Sequence, residues 1–67
     1  MTRPEVDKLL FWYEREKKTA RVFETPLGLE VDLLDETGFR ETRQIHKHSV
    51  NYAEDVAENW CNGIIRL

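Results

Sequence analysis

Alternation between apolar and acidic residues in Leu27–Asp35, LGLEVDLLD, constrains this chain more than any other feature. Leu27, Leu29, Val31 and Leu33 take every second position, with Glu30 and Asp32 between them. That period of two belongs to a strand with one buried face and one wet face. No other stretch alternates so cleanly. We read it as the central strand of a small antiparallel sheet whose solvent face carries the carboxylates of Glu30 and Asp32.

The segments on either side set the rest of the expected architecture. Thr2, Pro4 and Glu5 have the spacing of a capped helix start, with proline suited to the first turn. Val6, Leu9, Leu10 and Tyr13 then cluster on one face at helical spacing. In that helix Trp12 sits at the margin and Phe11 points away. The run Leu9–Tyr13, LLFWY, is too apolar for one face to bury. Glu14–Lys18 would end the helix in solvent. Thr19–Glu24 reads as a first strand, with Ala20 and Val22 on one side and Phe23 on the other. Thr25–Gly28 and Asp35–Gly38 read as turns with glycine at the exit. Phe39–His48 is polar and poorly phased, as suits an edge strand, and a bulge, at a position the pattern does not mark, could re-phase it.

Ser49 or Asn51 caps a last helix in which Ala53, Val56, Ala57, Trp60, Cys61 and Ile64 share a face. Glu54, Asp55 and Glu58 favour its N-terminal half through the helix dipole. Asn62-Gly63 stops it, leaving Ile64, Ile65 and Leu67 as an apolar tail. The expected fold is therefore α+β: helix, three-stranded antiparallel meander, helix (αβββα). Both helices pack on one face of the sheet, in a single domain over 1–67 without a linker.

Sixty-seven residues lie near the lower limit for one self-sufficient core. A formal charge of −3 argues against a general nucleic-acid binder, which needs a basic surface for phosphates. The single cysteine, Cys61, cannot form an internal disulfide, which points to a reducing cytoplasm. No signal-like apolar core or membrane-length apolar run is seen, so no membrane association is expected.

Several residue groups have the chemistry of a site. His46, His48 and Cys61 are the soft metal ligands, although Cys61 shares the buried helical face. Glu30 and Asp32 could form an acid pair, but catalysis also needs a pocket that separates their pKa values. Ser49 is explained as a cap. Three glycines make no phosphate loop. No cofactor is expected, and the chain is read as non-enzymatic. Arg15, Lys17, Lys18 and Arg21 form the basic patch, which with Phe11 and Trp12 nearby sketches a nucleic-acid surface.

The expected element order is also that of the double-stranded-RNA-binding domain. That family presents a lysine-rich start to its last helix, whereas Tyr52-Ala53-Glu54-Asp55 here would repel phosphate. In size and layout the chain resembles several small phage-encoded inhibitors of host enzymes or CRISPR complexes, which combine a short acidic sheet with one or two helices. The leading reading is a binding module that inhibits or modulates a larger protein or nucleoprotein complex. Phe11, Trp12 and Ile65 would anchor it, and Glu30, Asp32, Asp35 and Glu36 would steer it to a basic groove. The alternatives are a nucleic-acid-associated regulator using Arg15–Arg21 and a homodimeric accessory subunit.

Overall fold

The computed structural model describes residues 5–66. Four antiparallel strands of eight residues each are followed by one helix: β1 (Lys8–Arg15), β2 (Lys18–Thr25), β3 (Gly28–Asp35), β4 (Gly38–Ile45) and α1 (Val50–Cys61). The sheet order is β1-β2-β3-β4, each strand beside its neighbour in sequence. This overturns the αβββα expectation. The segment read as an N-terminal helix is β1, and one helix, not two, covers the sheet. Thr2 and Pro4, on which the helix start rested, lie outside the described residues, as does Leu67 of the tail.

A β-bulge explains why β1 imitates a helix in sequence. Phe11 faces Val22 and Leu9 faces Phe23, which leaves Leu10 as an extra residue between them. An extra residue turns two consecutive side chains to one side and breaks the period of two. Leu10, Phe11 and Tyr13 accordingly pack toward the core, while Leu9 and Trp12 stay exposed. The five-residue apolar run is thus divided between two faces, which a helix on one core could not do.

The turns depend on local polar contacts. Thr25 Oγ1 accepts from the Leu27 amide at 3.1 Å and donates to the Gly28 carbonyl at 2.8 Å. Asp35 Oδ1 likewise accepts from the Thr37 amide at 2.8 Å and its hydroxyl at 2.6 Å. Gly28 and Gly38 follow these turns at φ 131° and 109°. At Gly28 space is also short, because a Cβ there would lie 2.8 Å from His46 Cα. The turn between β1 and β2 has no glycine, and Glu16 takes φ 54° instead.

On the inner side of the sheet Ala20, Val22, Leu29, Val31, Leu33 and Ile45 are buried beneath Ala53, Ala57 and Trp60 of α1. The two alanines let the helix backbone approach β2 closely. Leu27 leaves the alternating series and sits exposed at its turn. The third strand of the sequence reading, β4, ends at Ile45 rather than His48. A second bulge sets Leu33 opposite Glu41 and Leu34 opposite Phe39, with Arg40 extra. It brings Ile45 to the buried side together with Glu41 and Arg43, which pair with each other beyond the footprint of α1.

Ser49 occupies the N-cap position with an extended backbone, but its side chain makes no cap bond. The C-terminus of α1 is closed by backbone: Gly63 N donates to Trp60 O and Ile64 N to Asn59 O, with Gly63 at φ 78°. Trp60 ties the helix down, its indole N–H donating to the carbonyls of Thr19 (3.1 Å) and Leu34 (2.9 Å). Those two residues face each other across β2 and β3.

Two stability predictions follow from this geometry. Trp60→Phe removes both indole bonds and part of the ring, and is expected to lower unfolding free energy in urea by about 1–3 kcal/mol. Gly38→Ala meets open space and should cost about 1–2 kcal/mol through backbone conformation alone. Gly28→Ala adds the His46 collision and should cost clearly more. Equal losses at the two glycines would show that the His46 approach is not tight.

Candidate functional site

The sheet face opposite α1 holds three of the residues singled out in the sequence as partner contacts, Trp12, Glu30 and Asp32. Its composition follows from strand register, since directly opposed residues share a side. The central row runs Trp12, Arg21, Asp32, Thr42 across the four strands. Toward the turn at 26–27 lies Leu9, Phe23, Glu30, Gln44, and toward the other end Glu14, Thr19, Leu34, Phe39. Trp12 is 62% exposed, and Leu9 and Phe39 are each 43% exposed. Apolar side chains therefore occupy two opposite corners of the face, with polar groups between them.

The two carboxylates at the centre are held by neighbours. Glu30 Oε2 lies 2.8 Å from His46 Nε2, and its side chain is only 13% exposed. Asp32 Oδ1 accepts from the Thr42 hydroxyl at 2.7 Å. They share a face, as alternation predicts, and neither lines the open grooves at the two ends of the sheet.

Asp35 and Glu36 sit at the end of β3, not in the middle of the face. Asp35 is wrapped by Thr37 and reaches Arg40 at 3.1 Å. The Thr37 hydroxyl and amide, helped by Arg40, hold its carboxyl below the usual value of 3.8. Glu36 pairs with Lys17 across neighbouring turns at 3.2 Å. Phe11 faces the other side of the sheet, packed edge-on to Tyr13 at 5.8 Å. Ile65 folds back against the core, leaving Ile64 exposed.

The basic residues are dispersed. Arg15 donates to Asn62 Oδ1 at 2.8 Å, and Lys18 lies over the Trp60 ring at 4.6 Å. With Lys17 they border an open groove between the β1–β2 turn and the end of α1, shared with Glu16 and Glu36. Arg21 is on the open face instead. Nor do the soft ligands meet: among the described residues no group of three His, Cys, Asp or Glu could hold a metal ion. His46 is at Glu30, and His48 stacks on Tyr52 at 4.1 Å. The Cys61 thiol donates to the Tyr13 and Lys18 carbonyls on the helix side, where burial pushes its pKa up and away from reactivity.

Sequence reasoning did not assemble Leu9, Phe23, Leu34 and Phe39 around the face. The signal for Phe23 was its alternation with Val22, and for Leu9 it was hidden by the bulge. Among the described residues no helix is long and apolar enough to cross a membrane. Comparison with models of known protein families, with curated proteins and with solved structures finds no match for this chain.

The Asp35 geometry predicts a pH dependence of known sign. A carboxyl whose pKa is lowered by folding stabilises the folded state above its unfolded value and loses that contribution as pH falls through the folded one. Asp35→Asn should therefore reduce the melting temperature at neutral pH, with the difference from the parent protein shrinking below about pH 3.8. A gap that widens on acidification would contradict the assignment.

Proposed function

We propose that this chain is a non-enzymatic binding module that docks its open sheet face on a larger protein or nucleoprotein complex and inhibits or modulates it. The observation that carries the reading is Trp12, 62% exposed at the margin of a sheet face with Leu9 and Phe23 beside it. A large aromatic left in water beside other apolar groups is the usual anchor of a protein interface. Phe11 does not share this role, because it supports the core from the other side.

The polar part of the face favours a basic partner. Glu14, Glu30 and Asp32 outnumber Arg21, so its field is negative. Asp35 and Glu36 lie at the end of β3, paired with Arg40 and Lys17. A phage-type or anti-CRISPR-like inhibitor is the form of modulator we propose, on small size and the acidic open face. Arg15, Lys17 and Lys18 each have a neighbour to bind, which makes them a poorer phosphate surface and favours a protein partner over nucleic acid.

Trp12→Ala removes the anchor without opening the core. Affinity for the partner recovered from lysate of the source cell should fall by roughly 2 kcal/mol, on the order of thirtyfold, with melting temperature little changed. Undiminished capture by Trp12→Ala and by Phe23→Ala together would refute the open face as the docking surface.

A further inference from the structure

The sheet has two outer edges, and they are unlike. β4 places Arg40, Glu41 and Arg43 along its length and carries a bulge at Arg40. Charge and bulging are the usual means by which a sheet edge resists pairing with another chain. β1 has no charged residue from Leu9 to Tyr13, the most apolar stretch of the chain. Among the described residues no strand lies on its outer side, and Leu9 and Trp12 are exposed. The bulge at Leu10 protects only the first part, leaving Phe11–Arg15 in regular register against β2.

We propose that β1 pairs antiparallel with β1 of a second copy across a two-fold axis, joining two sheets into one of eight strands with both helices on the same side. Self-pairing suits this segment. With the axis at Tyr13, Phe11 lies opposite the second copy's Arg15 on the helix side, and Trp12 opposite the second copy's Glu14 on the open face. Each charge then meets a ring rather than a like charge, and arginine beside an aromatic is itself favourable. Among the described residues nine form the buried core, which is thin enough to gain from association. Pairing through a twofold axis is also the commonest form of protein oligomer. This inference is independent of the identity of any other partner.

Sedimentation and amide hydrogen exchange over a concentration series reaching millimolar test it. The expected mass rises from 8.0 kDa toward twice that value. Amides in residues 11–15 should gain protection with concentration, and those in residues 41–45 should not. Trp12→Glu places a carboxylate opposite the second copy's Glu14 and is expected to weaken association by about tenfold or more. Thr42→Lys, in the same cross-sheet row but on the opposite edge, should leave it unchanged. A mass that stays at 8.0 kDa throughout overturns the proposal, as does association that protects β4 or survives Trp12→Glu. If Trp12→Glu fails to fold, the exchange map of the unaltered protein decides alone.

Discussion

The indole of Trp60 is the interaction on which the architecture depends. Its N–H is shared between the carbonyls of Thr19 and Leu34, at facing positions of the two inner strands. The ring fills the space that Ala53 and Ala57 leave toward the end of α1, with Lys18 over it. A polar ring atom can be buried there because it finds carbonyls at the ladder's end. The other buried side chains of the helix are alanines, and its further bonds to the sheet, Glu54 with Tyr13 and the neighbouring Asn62 with Arg15, are only partly buried or exposed.

How much of this could be read from the letters varies with the element. β2, β3 and α1 were legible because their periods are clean and their turns end in glycine. The turn at 16–17 gave no such mark, since Glu16 takes a left-handed backbone without glycine. Glu14–Lys18 therefore read as a charged helix end. The bulge at Leu10 completed the misreading by giving a strand two consecutive inward residues. Both failures have one cause, which is that local sequence carries no record of a partner strand. In β4 the polar pattern announced an edge and left a bulge as one way to re-phase it, and the register puts the extra residue at Arg40.

The candidate site divides in a similar way. Alternation alone put Glu30 and Asp32 on one outer face, and the structure adds what surrounds them. His46 and Thr42 come from beyond the turn to bind these carboxylates, which makes them part of the face's own scaffold as well as its charge. Trp12, read as a marginal helix residue, is exposed because it stands on the open side of an edge strand. Pairings such as Lys17 with Glu36, or Arg15 with Asn62, link turns that sequence distance separates. They could not be inferred before the topology was known.

The meander also orders events during folding. Strands joined by two-residue turns can zip together one hairpin at a time, because each pairing closes only a short loop. The contacts that seal the inner face are of the opposite kind: Tyr13 with Glu54 and Trp60 with Thr19 each span 41 residues. During synthesis Ala20, Val22 and Val31 therefore face the surrounding solution until α1 has emerged, and a chain cut between β4 and α1 would be a sticky ribbon rather than a smaller domain.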